Sequence, residues 1–472
     1  MKWFKLLFLT TLCSIFYILP TNLSAQWLET TIYLSDSLGR VTHPACLTYN
    51  VVNNTVYVGG QDHCVIAIDG VTNQKVAWIP VGQVTQDLCY NPQDNRIYCA
   101  AQNLIDDITV IDGAANSVVV TLPAGEDRPY AFCYNVQNDK VYCANYIGAS
   151  VTVIDGATDA VIATVTVGRL PNALCYNAQD NKVYCTIDAV VESDSVVVID
   201  GATDSVIAIV PVGSSPIALC YNSQNNKVYC ANFYSNNVTV IDGSTNQVIA
   251  TVPAGIEPLA LCYNAQNNKV YCGIYYYGVN VTVIDGATDS VVATVPAGAA
   301  TALCYNPENN KVYCAISGSD SVTVIDGATN DVLTTIGVGD CPLALVHNPQ
   351  QNRMYVANYM DSSVSVLRDS GGAAIAERPS PIGSPTIIEI YPNPAKSVIC
   401  VRGLSGRSTL NALPPTLKIF DVSGKLIKEI ASPRLIGGTR NDMEMEISLN
   451  GINPGIYFLR FGTATKKFLV VR

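Results

Sequence analysis

Histidine, methionine, tryptophan and charge are all scarce in this chain. Its 472 residues include three histidines, five methionines and three tryptophans, and only 14% of its side chains are charged. His43, His63 and His347 lie in the first and last parts of the repeated region described below. No HExxH pattern, serine–histidine–aspartate order or glycine-rich phosphate loop accompanies them, so no metalloprotease, triad hydrolase or nucleotide-binding motif is present. Helical periodicity is missing too, and with half the residues hydrophobic the chain is neither a coiled coil nor disordered. Only one long apolar run occurs, Leu6 to Leu19, behind Lys2 and Lys5 and ahead of Leu23-Ser24-Ala25. That order predicts a signal peptide over residues 1–25, cleaved before Gln26. The run is short for a bilayer anchor and polar Thr21-Asn22 follows it. Leu12 precedes Cys13 where a lipobox needs a small residue, so a lipoprotein is rejected.

The few charges are unevenly placed. Residues 386–472 carry 12 Lys+Arg against 6 Asp+Glu, a balance of +6. Setting those and Lys2 and Lys5 aside leaves 27 − 12 − 2 = 13 basic and 38 − 6 = 32 acidic residues between Gln26 and Pro385, a balance of −19. A body of that sign repels polyphosphate and excludes nucleic acid as an expected partner.

What the chain has in abundance is repetition. Ile-Asp-Gly places Asp69, Asp112, Asp155, Asp200, Asp242, Asp285 and Asp326 at spacings of 43, 43, 45, 42, 43 and 41. Val364 to Arg368 is a degenerate eighth copy. Tyr-Asn recurs at Tyr49, Tyr90, Tyr134, Tyr176, Tyr221, Tyr263 and Tyr305, with His347-Asn348 as the eighth. Each unit reads as four short strands, A to D, rich in Val, Ile, Thr and Tyr and joined by polar turns. The fold class expected is all-β: a β-propeller of four-stranded blades, eight-bladed or alternatively seven-bladed, followed by a small C-terminal β-sandwich. Eight A-B-C sets are followed by only seven D strands. The segment Thr30 to Ser35 is the missing one, predicted to lie beside Val364 to Leu367 and zip the ring shut.

The repeat resembles the YVTN family of β-propellers, with Tyr355-Val356-Ala357-Asn358 its closest copy and Tyr142-Cys143-Ala144-Asn145 a typical variant. The resemblance covers residues 26–369 and implies a secreted or surface protein. After a linker over 370–385, the segment 386–472 resembles the C-terminal sorting domain of type IX secretion, a small β-sandwich. Tyr391-Pro392-Asn393-Pro394, the turn at Gly424, Gly455 with Tyr457, and Lys466-Lys467 before the apolar end carry that resemblance. It implies type IX machinery as a partner, passage through the outer membrane, and release or attachment to the outer surface.

Cysteines fall ten residues apart in six units: Cys89/Cys99, Cys133/Cys143, Cys175/Cys185, Cys220/Cys230, Cys262/Cys272 and Cys304/Cys314. Read as direct cross-strand neighbours on one face, they are candidate disulfides in an exported protein. The other reading is small apolar core residues, since the outer units carry Val58 and Val356 instead. A zinc site is disfavoured, and no metal or cofactor is expected. The Ile-Asp-Gly aspartates suit side-chain capping of tight turns, and the tyrosines suit buried hydroxyls bonded to backbone.

The A-B and C-D turns hardly vary between units, whereas the B-C and D-A loops do. Tyr146, Phe233, Tyr275 and Tyr359 share one B-C position, with Tyr234, Tyr276 and Tyr277 beside them and Asp127 and Glu257 in D-A loops. Aromatics beside carboxylates make this face the expected binding surface for a glycan or protein ligand. Neutral variation of solvated loops is the competing reading. The function expected is non-enzymatic: ligand binding, adhesion or surface structure. The alternative is an extracellular lactonase-like hydrolase or lyase.

Overall fold

The computed structural model describes residues 26–36, 39–102, 107–124, 128–188, 194–275, 280–369 and the strands of the C-terminal segment between 387 and 470. The signal peptide, the linker, Asp127, Tyr276, Tyr277, Pro392, Asn393, Pro394 and Gly424 lie outside the described residues. Strands dominate the described residues, among which the one short helical turn, Ser317–Ser319, is of the 3-10 type.

The repeats fold as antiparallel four-stranded units. In the fifth, strand A is Pro216–Asn222, B is Lys227–Asn232, C is Asn237–Asp242 and D is Val248–Pro253, paired in that order. Units 1 and 2 are joined by a single further pair, Gln61 with Val84. B strands read as continuous apolar runs because neighbouring units cover both their faces: in Lys227–Asn232 every residue after the lysine is buried. D strands are exposed at the periphery and carry a β-bulge at the same place in each unit, as where Val240 and Ile241 face Ala250 and Val248.

Each core cluster is shared by two consecutive units. Tyr229, Val238, Val240 and Val252 of the fifth pack with Val270, Cys272 and Ile284 of the sixth. The series returns to its start, because Tyr355, Val364 and Val366 pack with Val56, Val58 and Cys64 of the first unit. The last unit lacks a D strand of its own, and Gln26–Tyr33 fills the place. It runs antiparallel to Ser363–Asp369, with Thr30 opposite Val366 and Ile32 opposite Val364.

Two rings of hydrogen bonds explain the two repeated motifs. The asparagine of each Tyr-Asn donates through Nδ2 to the residue before strand B of the next unit: Asn177 to Asn226 at 2.9 Å, Asn222 to Asn268 at 2.9 Å, and finally Asn348 to Asn54 at 2.9 Å. This bridge passes over the glycine of Ile-Asp-Gly. A Cβ on Gly243 would lie 2.5 Å from Asn226 Oδ1 and 2.6 Å from Asn177 Nδ2, so only glycine fits. The strand-B tyrosine forms the second ring. Tyr229 Oη donates to Asp289 Oδ1 at 2.7 Å, and Tyr355 Oη to Asn73 Oδ1 at 2.7 Å, each in the following unit. Lys227 Nζ reaches the same Asp289 at 2.8 Å and the Gly286 carbonyl at 3.0 Å. The aspartates of Ile-Asp-Gly cap their own turns: Asp285 Oδ1 accepts from the Thr288 and Ala287 amides at 2.9 and 3.1 Å. Those amides hold the Asp285 carboxyl below its ordinary pKa.

The cysteine expectation is corrected by the register. Asn91 pairs with Arg96 across a four-residue turn, so opposed residues differ by odd numbers: Cys89 faces Tyr98 and Leu88 faces Cys99. A separation of ten therefore puts the two thiols on opposite faces of the hairpin. The same holds for Cys133 opposite Tyr142, Cys175 opposite Tyr184, Cys220 opposite Tyr229, Cys262 opposite Tyr271 and Cys304 opposite Tyr313. Cys143, Cys185, Cys230, Cys272 and Cys314 sit fully buried in the inter-unit cores as free thiols, the packing role named for them above.

The C-terminal segment forms two four-stranded antiparallel sheets. One contains Ile387–Tyr391, Val398–Leu404, Asp442–Ser448 and Arg434–Gly437. The other contains Leu426–Ile430, Leu417–Asp421, Gly455–Phe461 and Ala464–Val470. Tyr391, Gly455, Tyr457, Lys466 and Lys467 all lie in these strands.

Candidate functional site

The turns on one face of the repeated region are spent on structure, since every Asp-Gly turn is tied to a neighbouring unit. The B-C and D-A loops meet on the other face, where backbone bonds hold them to each other. Tyr146 N donates to Arg128 O, Phe233 N to Ser215 O, Tyr275 N to Glu257 O and Tyr359 N to Cys341 O, all at 2.8–2.9 Å. This one recurrent bond aims each aromatic outward from the end of strand B.

Three of the aromatics form a contact group between the fifth and sixth units. Phe233 packs edge-on against Tyr234 with ring centroids 5.1 Å apart, and against Tyr275 at 5.9 Å. Phe233 is half-buried, whereas Tyr234 is 70% and Tyr275 is 41% exposed. Contact with the half-buried Phe233 ring restricts the exposed rings and lowers the cost of ordering them for a ligand. Glu257 lies on one side of the group, its amide fixed by Asn236 Oδ1 at 2.9 Å. On the other side Asp188 accepts from Ser215 Oγ at 3.2 Å, and Asp194 accepts from the Ser215 amide at 3.0 Å. Burial and the neighbouring Asp194 charge push the Asp188 carboxyl up. A cavity of about 320 Å³ opens nearby, lined by Ile256, Ile274, Asn280 and Thr282 among others.

The remaining aromatics make separate contacts. Tyr146 stacks with Tyr130 at 5.2 Å, with the Arg128 guanidinium 6.0 Å from its ring centre. Tyr359 meets His43 of the first unit at 4.7 Å and accepts from Gln61 Nε2 at 3.4 Å. The structure thus brings Phe233, Tyr234, Tyr275 and Glu257 into one neighbourhood but leaves Tyr146 and Tyr359 in others. Tyr130 and Arg128 were not singled out from the sequence. Nor were Ile147, Ile256 and Met360, which are 60%, 51% and 58% exposed. Paired apolar residues at the end of strand B (Tyr146-Ile147, Phe233-Tyr234, Tyr359-Met360) were the available signal. One further acid was missed. Asp87 is the only carboxylate in the eight A strands, and it accepts from the Phe132 amide of the next unit at 2.8 Å. Burial raises its pKa to about 6 against the opposing effect of that bond.

Residues 389–471 match the secretion system C-terminal sorting domain family. The match spans both sheets of the C-terminal segment and supports export by type IX secretion, with release to the medium or attachment at the outer surface of the outer membrane. No curated protein matches the chain.

Proposed function

We propose that residues 26–369 form an eight-bladed β-propeller of the YVTN type, closed by the N-terminal strand, that binds a ligand outside the cell without catalysis. The cyclic series of shared cores and the strand pairing of Gln26–Tyr33 with Ser363–Asp369 support the propeller reading. The sorting-domain match over residues 389–471 supports the extracellular setting. The observation that carries the ligand reading is the exposed Phe233–Tyr234–Tyr275 group on the loop face. Eight copies solve one packing problem, so positions serving the core or a turn stay constant between units. The aromatics stand where the units differ.

A glycan and polymer binding screen of the purified chain, with and without calcium, tests this directly. Combined alanine substitutions at Tyr146, Phe233 and Tyr275 are expected to abolish whatever binding is found, since single aromatic anchors typically contribute about 1–3 kcal/mol. Normal binding by the triple variant, with loss on changing the Asp-Gly turns, would place the site on the opposite face.

A further inference from the structure

Charge is not shared evenly between the two faces. Strand-B lysines and arginines are consumed on the turn face, as in Lys140 with Asp204 at 2.8 Å, Lys227 with Asp289 at 2.8 Å and Arg96 with Asp112 at 2.6 Å. On the loop face, Arg40 is paired with Asp62 at 3.0 Å, Arg128 lies over Tyr146, and Arg169 is exposed next to Leu170, whose carbonyl accepts from the Asp188 amide. The carboxylates of Asp188 and Glu257 flank the aromatic group of units five and six without being drawn into that turn-face network. The Asp188 side chain is occupied by a serine hydroxyl, and Glu257 is fixed through its backbone rather than its carboxylate.

We infer that the Phe233–Tyr234–Tyr275 group, flanked by Asp188 and Glu257, docks an extended basic peptide segment through its arginine and lysine side chains. The inference rests on the ligand-binding reading above and names the class of ligand. Guanidinium and ammonium groups are attracted to the faces of exposed tyrosines, and arginine also stacks flat on them. Carboxylates beside the rings complete the pairing of a cation that has left water. The balance of −19 between Gln26 and Pro385 steers such a segment toward this body and repels an acidic one. A neutral glycan would use the rings but gain nothing from that charge.

The test measures binding of the purified full chain to labelled hexa-arginine and hexa-lysine peptides, with hexa-glutamate and maltohexaose as controls. Tyr234→Ala and Glu257→Gln should each weaken hexa-arginine binding roughly tenfold or more. Tyr234 is largely exposed and Glu257→Gln keeps the backbone bonds, so neither change threatens folding. Asp331→Asn removes one exposed charge from a turn on the other face and should leave binding unchanged. If the two charge variants lose affinity equally and Tyr234→Ala loses none, the attraction is net charge alone and the inference fails. If maltohexaose binds through Tyr234 and hexa-arginine does not, the inference fails while the ligand face stands. Silence of every probe here and in the broader screen removes the ligand face itself.

Discussion

At the residue scale, the repeat is held by side chains whose partners sit in the next unit. Tyr229→Phe removes the hydroxyl that reaches Asp289 and should lower stability by about 1–2 kcal/mol, measured by urea unfolding. No change would mean the second ring contributes geometry but no energy. One link of the first ring is chemically different. Asn91 meets Asp139 where other units carry asparagine, and Asp139 lies against Asp94 with its Oδ2 buried and unpartnered. Burial and the Asp94 carboxylate raise the Asp139 pKa, while hydrogen bonds from Tyr134 and Asn91 oppose them. A carboxyl whose folded pKa is raised contributes stability that is present at low pH and lost as pH rises through that value. Asp139→Asn should therefore be the more stable form at pH 7, with the gap closing toward pH 4. Parallel unfolding midpoints across that range would contradict the carboxylate pairing. Residue-level roles were half legible in the sequence. The turn-capping aspartates followed from Asp-Gly alone. Which aromatics would touch did not, because Phe233 meets Tyr275 only through the spacing between adjacent units.

At the scale of elements, strand order and closure were readable because eight A-B-C sets and seven D strands leave one place to fill. The cysteine faces were not, because they depend on whether the A-B turn holds an even or odd number of residues. Four turn residues put Cys89 and Cys99 on opposite sides. Peptide mapping without reduction should accordingly find no 11-residue cross-linked loops, and thiol titration in denaturant should find the cysteines of the repeats reduced. Loops at Cys89–Cys99 or its equivalents would mean the hairpin register is wrong. The closing strand carries its own fastening. Glu29 sits at the bulge of that strand, where other units expose Val, Ile or Leu, and makes bonds of 2.6 and 2.7 Å to Arg353. Arg353 is nearly buried and also binds the Gly70 and Val71 carbonyls of the first unit. Glu29→Ala should cost about 2 kcal/mol, because it strands a buried guanidinium short of its counter-charge. A loss under 0.5 kcal/mol would assign closure to the strand ladder alone.

At the scale of the whole molecule, two parts of opposite charge balance do two jobs. The C-terminal segment, +6 by sequence, carries the sorting match, and the −19 body carries the repeats. Deleting residues 386–472 should leave the body within the cell envelope, assayed by fractionation of medium and cells; undiminished release would remove the sorting role. The central claim is that eight units close on the N-terminal strand. Hydrogen exchange of the folded chain measures this most directly, because an edge that is merely adjacent exchanges quickly while a paired inner ladder does not. If the N-terminal strand closes the series, the amides of Gln26–Tyr33 that bond to Ser363–Asp369 are protected together with the amides of that partner strand, while those on the outer edge exchange freely. Exchange of residues 26–33 at the rate of an unstructured terminus, with 363–369 still protected, would show an open ring and contradict it.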